Sequence, residues 1–273
     1  MKKYIIAFFL LVISFLYIFL SNETGGARVF VNLMTFAGIY GLAAIGINVH
    51  FGWTGLLNFG HAAFMGIGAY TTVLLIPHSL GREGVVISSG LPLPLAISIG
   101  ILAAALLGLF LGLPTLRLRG DYLAIVTIAA AEIFRLLVRD FEDLTGGVYG
   151  IIQFSDSLQN SRPDFITRFG ESYDISPSQF WVGLLTWISI ILVLLILSRL
   201  KKSPWGRALR AVREDEDAVR ALGKNAVLLK LQSFMLGAAI GGLSGIFLVF
   251  NYGTVQASTF VPVLTFYVWA ALI

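Results

Sequence analysis

The sequence predicts an all-α, polytopic membrane protein, and its composition and its apolar runs support this prediction. Hydrophobic residues make up 57% of the 273 residues, and charged residues only 12%. The mean hydropathy of +0.86 lies far above the values of water-soluble domains. Apolar runs of roughly 20 residues, the length that a helix needs to cross about 30 Å of hydrocarbon, recur along the chain. We therefore expect a single transmembrane domain over residues 1–273.

The apolar runs predict about eight transmembrane helices. Seven complete runs lie near residues 4–20, 29–49, 56–76, 93–113, 120–138, 179–198 and 231–251, and an eighth begins near Val261. The eighth stops at Ile273 after about 13 residues, too few to cross a bilayer alone at 1.5 Å per residue. We therefore expect the chain to be a C-terminally truncated fragment. The first run is longer than the apolar core of a signal peptide, so we interpret it as a retained helix.

The positive residues favour one orientation in the membrane. Lysine and arginine are enriched in short cytoplasmic loops. Three positive clusters fall on one side of the predicted topology: Lys2 with Lys3, Arg117 with Arg119, and the basic residues of segment 199–230. We expect this side, with the N-terminus, to be cytoplasmic. The mixed-charge segment 139–178 then forms an extracytoplasmic loop.

Sequence signatures of enzymes are missing or incomplete. Gly223 and Lys224 approach a Walker A phosphate loop, but Asn225 stands where Ser or Thr is required and Ala218 where the leading Gly belongs. The three histidines are too scattered for a zinc pair, and no Gly-x-Ser-x-Gly nucleophile turn occurs. The lack of cysteine excludes disulfides and thiolate metal sites. We expect no enzyme, no catalytic residue, no cofactor or metal, and no nucleic-acid partner.

A glycine-rich stretch from Gly52 to Tyr70 carries two polar residues, Asn58 and His61, at the start of the third predicted span. Small residues let helices approach closely, which gives a packing interpretation. Glycine can also break a helix where backbone lines a cavity. In that interpretation Asn58, His61, Gly66 and Gly68 lie along a translocation path. The residues alone leave both interpretations open.

Two other features near the predicted outer surface have simpler explanations. Glu132 and Arg135 are three residues apart on one helical face, so we expect a structural, partly interfacial ion pair rather than a transport site. The glycine-containing stretch 143–151 predicts a turn. It could equally shape the outer mouth of a pathway or a surface met by a delivery protein.

The most informative stretch is Ser203–Asn225, which we call the charged island. It is dense in charges of both signs, carries an apolar stripe at helical spacing, and lies between two predicted spans. One interpretation is an amphipathic helix on the inner membrane surface, attracted by its basic excess. The other is a coupling helix that docks in a groove of a cytoplasmic ATPase subunit.

Four stretches in order resemble the permease subunits of high-affinity branched-chain amino-acid ABC importers, specifically the LivM-like branch. The resemblance covers most of the chain, from about Leu33 to Tyr252. The four stretches are Leu57–Tyr70, Leu116–Ala124, Leu144–Ile151, and the run from Gly206 to Gly223.

The resemblance implies a coupling role for part of the charged island. ABC importer permeases carry a cytoplasmic Glu-Ala-Ala-x-x-x-Gly motif, to which Asp217-Ala218-Val219 and Gly223 are similar; the Asp and the Val depart from it. Glycine suits the left-handed end of a helix. The implied coupling residues are Arg213, Glu214, Asp215, Glu216, Asp217, Ala218 and Gly223.

The resemblance also implies the partners, location and solute. The partners would be a second, homologous permease subunit, two cytoplasmic ATP-binding subunits, an extracytoplasmic solute-binding protein and membrane lipid. The location would be the bacterial inner membrane, with multiple spans. The solute would be a branched-chain amino acid, with urea or short-chain amides as the alternative. A stand-alone secondary transporter would need intramembrane carboxylates, for which only Glu132 qualifies.

Overall fold

The computed structural model of the chain describes residues 25–80, 86–87, 90–115, 120–152, 154, 156–172 and 174–273. The first predicted span near residues 4–20, with Lys2 and Lys3, and the predicted turn with Arg117 and Arg119 lie outside these residues. The described elements, in chain order, are helices α1 (Gly26–Thr54) and α2 (His61–Leu75), strands β1 (His78–Leu80) and β2 (Val86–Ile87), helices α3 (Leu93–Thr115), α4 (Gly120–Asp140) and α5 (Glu142–Thr145), strand β3 (Ile151–Ile152), helices α6 (Asp156–Gln159), α7 (Asp164–Ser172), α8 (Pro177–Lys202), α9 (Pro204–Glu214), α10 (Glu216–Ala221) and α11 (Ala226–Tyr252), a 3₁₀ turn (Ala257–Phe260) and helix α12 (Val263–Leu272).

The predicted all-α fold class is confirmed. Among the described helices, α1, α3, α8 and α11 are long and apolar enough to cross a membrane. Helix α2 is shorter than its predicted span because it begins at His61 rather than near residue 56. At 1.5 Å per residue, its 15 residues extend over only about 22 Å. The chain between α1 and α2 is therefore a non-helical segment, residues 55–60, which we call the broken segment.

Helix α11 is the centre of the bundle and packs against α1, α2 and α3. Two serine hydroxyls tie it to α1: Ser244 donates to the Ile39 carbonyl at 2.8 Å, and Ser233 donates to the Val49 carbonyl at 2.9 Å. Its most apolar stretch is 78% buried, whereas that of α3 is 28% buried. Helix α3 thus presents much of its apolar surface outward, as a lipid-facing helix does.

The connections between helices gather at two ends of the bundle. At one, the sheet end, strands pair antiparallel in the order β2-β1-β3, and Ile151 pairs with Val255 beyond α11. An ion pair of 2.8 Å between Arg28 and Asp174 joins the start of α1 to the chain before α8. At the other, the island end, the charged island contacts the last residues of α1 and α8 and the beginning of α11.

Candidate functional site

The charged island folds as two helices, α9 and α10, rather than as one. The break lies at Asp215, whose backbone is extended with φ −152° and ψ 104°. Its carboxylate accepts hydrogen bonds from the backbone amides of Asp217 at 2.9 Å and Ala218 at 3.0 Å. Asp215 is therefore the N-cap of α10, where an acidic side chain satisfies two of the free amide groups and complements the helix dipole.

Helix α10 ends in a left-handed turn at Gly223, where φ is +73°. The Gly223 amide donates to the Arg220 carbonyl at 2.9 Å, and the Lys224 amide donates to the Val219 carbonyl at 3.2 Å. These two bonds form the Schellman motif that glycine favours at a helix end. Asn225 then caps α11 by accepting from the Leu228 amide at 3.0 Å. The glycine thus sets the direction in which the chain returns to the membrane.

Glu216 belongs to the internal structure of the charged island. Its carboxylate pairs with Arg220 one turn later, at 2.7 Å, and also with Lys230 of helix α11. The Lys230 side chain is only 15% exposed. The first ion pair lies within helix α10, and the second joins α10 to the start of α11, so the island is attached to the central helix of the bundle.

The remaining residues proposed for coupling face outward. Glu214, Asp217 and Ala218 are exposed, and the Asp217 side chain is 93% exposed. The tip of the island also carries Leu222, which is 80% exposed and directly precedes Gly223. Leu222 follows the last residue of α10, and the left-handed turn at Gly223 leaves it outside the apolar stripe that α9 and α10 bury.

Helix α9 buries Leu209 and Val212 against the bundle and reaches the end of α1 through Arg213. The Arg213 guanidinium donates from Nη1 to the Gly52 carbonyl at 2.6 Å. Gly52 belongs to the last turn of α1, whose carbonyls have no partner within the helix. A cation at this position also complements the negative end of the helix dipole.

The broken segment continues from this point into the bundle, and Asn58 fixes it there. The Asn58 side-chain amide donates to His50 Nδ1 at 3.0 Å, and its oxygen accepts from the Gly60 amide at 2.9 Å. His50 Nε2 in turn donates to the Phe234 carbonyl of helix α11 at 2.9 Å, the tautomer that the Asn58 contact requires. All of these side chains are buried. Sequence reasoning did not identify His50, which directly follows the predicted span 29–49, because only the folded chain brings it against the Phe234 carbonyl.

Two other helices, α4 and α12, supply hydrogen-bond partners to the backbone of the broken segment and of the first turn of α2. The Phe59 amide donates to Thr127 of α4 at 3.1 Å. From α12, Trp269 donates to the Asn58 carbonyl at 3.0 Å. The amide of Ala62, at the start of α2, donates to the hydroxyl of Thr265 in the first turn of α12 at 2.9 Å. Non-helical backbone within a membrane domain requires such partners.

His61 is the first residue of α2 and is completely buried. Its ring lies 5.8 Å from that of His50, in an edge-to-face arrangement. Neither ring nitrogen makes a well-formed hydrogen bond with a described residue, although the Ala43 carbonyl is nearby. His61 thus brings unused hydrogen-bonding capacity to the place where α1, α2 and α11 meet.

Gly66 and Gly68 lie in tight helix contacts. A Cβ atom on Gly68 would be 2.6 Å from the backbone of Gly242 in α11, and one on Gly66 would be 2.3 Å from the ring of Phe134. Both distances are too short for a real side chain. The two glycines therefore serve close helix packing in this structure, whereas Asn58 and His61 lie at the interruption of the helix.

A comparison with known protein families identifies the family to which this bundle belongs. Residues 29–273 match the family described as branched-chain amino acid transport system / permease component. The chain belongs to this family.

Individual permeases give the same result. The chain is 38% identical over 241 residues to the high-affinity branched-chain amino acid transport system permease protein LivM of Salmonella typhimurium and to that of Escherichia coli, a match covering 84% of this chain and 54% of each relative. It is 29% identical over 240 residues to a probable LivM permease of Methanocaldococcus jannaschii, covering 78% of this chain and 65% of that protein. The chain thus spans about half the length of the first two relatives. No solved structure matches it.

Two further features lie near the sheet end of the bundle. Glu132 and Arg135 form the predicted ion pair, in which Arg135 Nε donates to Glu132 Oε2 at 2.9 Å. Stretch 143–151 forms a tight turn, in which Gly146, Gly147 and Gly150 have positive φ. The turn leaves Val148 and Tyr149 mostly exposed, at 66% and 59%.

Proposed function

We propose that the chain is a permease subunit of an ATP-binding-cassette importer that translocates branched-chain amino acids. The main support for the proposal is the charged island, a folded, outward-facing element attached to the membrane bundle. The sequence of the chain has no complete phosphate-binding loop of its own. The family and the names of its LivM relatives support the solute class. An importer of this kind takes its energy from separate ATP-binding subunits.

Residues 199–230 act as the coupling segment in this proposal, on the cytoplasmic side. Asp215, Glu216 and Gly223 hold its shape, while Glu214, Asp217, Ala218 and Leu222 form the surface that a partner contacts. An apolar side chain with acidic neighbours suits the helix-in-groove mode of recognition. Two cytoplasmic ATP-binding subunits, one on this permease and one on a second, homologous permease, complete the motor.

Arg213 connects the coupling segment to the translocation path. Its hydrogen bond to Gly52 joins α9 to the end of α1, from which the chain enters the broken segment. A displacement of α9 by the ATP-binding subunit is thereby passed to Asn58 and His61. Both residues are fully buried, so the proposed path is closed in this conformation.

The outer side of the importer lies at the sheet end. Segment 139–178 is the extracytoplasmic loop, and Val148 and Tyr149 offer exposed contacts to a solute-binding protein. The protein resides in the bacterial inner membrane, with its N-terminus in the cytoplasm. The excess of Lys and Arg in segment 199–230 supports this orientation.

Reconstitution into proteoliposomes tests the proposed function. The chain is co-expressed with the second permease, the ATP-binding subunits and the binding protein encoded in the same genome, and ATP is enclosed on the cytoplasmic side. We expect uptake of radiolabelled leucine, isoleucine or valine that depends on ATP and on the binding protein. Uptake of urea or acetamide instead would assign the alternative solute class, and uptake without ATP-binding subunits would indicate a secondary transporter.

A further inference from the structure

A polar cavity of about 550 Å³ opens at the island end, between the last turns of helices α1 and α8 and the inner face of α9. Its wall carries the cationic side chains of Lys201, Arg210 and Arg213, together with one carboxylate, that of Glu214. The exposed side chain of Asn48 adds a neutral polar group. Three cations against one carboxylate give the cavity a positive charge.

The three cations have no carboxylate partner within 4.0 Å in the part of the chain that the structure describes. Arg213 donates to the Gly52 carbonyl, and Arg210 makes one long contact of 3.5 Å with the Lys201 carbonyl. A guanidinium has five N–H donors, and a lysine ammonium has three. Most of the donors in the cavity are therefore available to an anion.

The cavity lies at the depth of lipid headgroups. The apolar run of α8 ends in a basic last turn with Arg199, Lys201 and Lys202, and such a transition marks the membrane surface. Trp53, which also lines the cavity, packs edge to face against Trp205 with ring centroids 6.0 Å apart. Tryptophan is enriched at membrane–water interfaces, because its ring is apolar and its N–H is polar.

We propose that this cavity binds the phosphate headgroup of an anionic phospholipid. The planar guanidinium of Arg210 can bind two phosphate oxygens at once, and Lys201 adds a second positive charge. The volume falls within the range of small-molecule sites. Glu214 suits a headgroup that carries hydroxyl donors, such as phosphatidylglycerol. Asp217, Ala218 and Leu222 are not part of the cavity wall, so a bound lipid would anchor α9 to the membrane and leave the exposed tip at Leu222 uncovered.

The test measures lipid binding by the purified full chain in neutral detergent. Native mass spectrometry counts bound phosphatidylglycerol, with phosphatidylcholine and inorganic phosphate as the other two probes. Lys201→Gln with Arg210→Gln removes two cavity cations. Arg207→Gln is the matched control, because Arg207 lies on the same helix, is exposed, and is not part of the cavity wall. Lys201→Arg with Arg210→Lys preserves both charges and checks that the fold tolerates changes at these positions.

We expect the Gln pair to weaken phosphatidylglycerol binding about tenfold or more, since two charge-assisted contacts are lost. The control and the charge-preserving pair should bind it nearly as the original chain does, and Leu222→Asp should leave binding unchanged. Equal binding by the Gln pair and the control would overturn the proposal. Equal affinity for phosphatidylcholine would overturn the requirement for an anionic headgroup, and comparable saturation by inorganic phosphate would overturn the assignment to a lipid.

Discussion

Arg213 in the charged island donates a 2.6 Å hydrogen bond to the carbonyl of Gly52 at the end of helix α1. Three residues beyond Gly52 the helix ends at Gly55, in a left-handed conformation with φ +72°. The chain then enters the broken segment that carries Asn58. One side chain thus connects the exposed island to the interior of the bundle, and this connection is open to a direct test.

Arg213→Ala should reduce transport while leaving the ATP-binding subunits attached. The substitution removes a hydrogen bond from a charged donor, worth about 1.5–3 kcal/mol, so a coupling step that depends on it slows about tenfold or more. ATP-driven leucine uptake and co-purification of the ATP-binding subunits are measured side by side. Arg207→Ala is the control, because among the described residues the Arg207 side chain hydrogen-bonds only to the neighbouring Lys202 carbonyl. Full uptake by the Arg213 variant would show that this bond has no part in coupling.

Asp215→Ala should loosen helix α10. Loss of an N-cap costs about 1 kcal/mol, and here the carboxylate caps two amides. Hydrogen exchange of the α10 amides, followed by mass spectrometry, should become several times faster. Asp217→Ala is the matched control, since its side chain is 93% exposed and caps no helix. If exchange were unchanged in the Asp215 variant, the capping role would be wrong.

The sequence could predict the membrane class and the position of the charged island because both depend on composition along the chain. Apolar runs and clusters of Lys and Arg are visible without a structure. The division of the island into two helices was not predicted, since Asp215 looks like one acidic residue among four. Its capping role depends on backbone geometry. The exposure of Leu222 likewise follows from where α10 ends.

The interior contacts were harder to predict because they join residues that are far apart in sequence. His50 directly follows an apolar run and contacts Asn58 and the Phe234 carbonyl, which only the folded chain brings together. The glycine-rich stretch suggested either packing or a broken helix. The structure contains both, with the break at residues 55–60 and close packing at Gly66 and Gly68.

Asn58→Leu should destabilise the bundle. The substitution keeps similar volume but leaves His50 Nδ1 and the Gly60 amide without their partner. Each unsatisfied buried group costs about 1–3 kcal/mol, so the melting temperature in detergent should fall by several degrees. Asn48→Leu provides the control, because the Asn48 side chain is exposed. Equal melting temperatures for the two variants would contradict the role of Asn58 in holding the broken segment.

Gly68→Ala should also lower stability, although alanine favours helices more than glycine does. The new methyl group would lie 2.6 Å from the Gly242 backbone, and overpacking of this kind costs about 1–3 kcal/mol. A Cβ atom on Gly41 in helix α1 would meet no described atom within 4 Å beyond the backbone of its own helix, so Gly41→Ala should be neutral or stabilising by up to about 1 kcal/mol. The melting temperature should therefore fall for Gly68→Ala and stay unchanged or rise for Gly41→Ala. A stabilising Gly68→Ala would show that α2 and α11 are not closely packed there.

The most direct test of the coupling assignment is co-purification of the ATP-binding subunits with a Leu222→Asp variant. A charge on this 80% exposed side chain leaves the bundle intact but opposes burial in an apolar groove. Leu144→Asp is the matched control, because Leu144 is 57% exposed near the sheet end. We predict that Leu222→Asp loses most of the ATP-binding subunits while Leu144→Asp retains them. Full retention by Leu222→Asp would contradict the assignment of the charged island as the docking element.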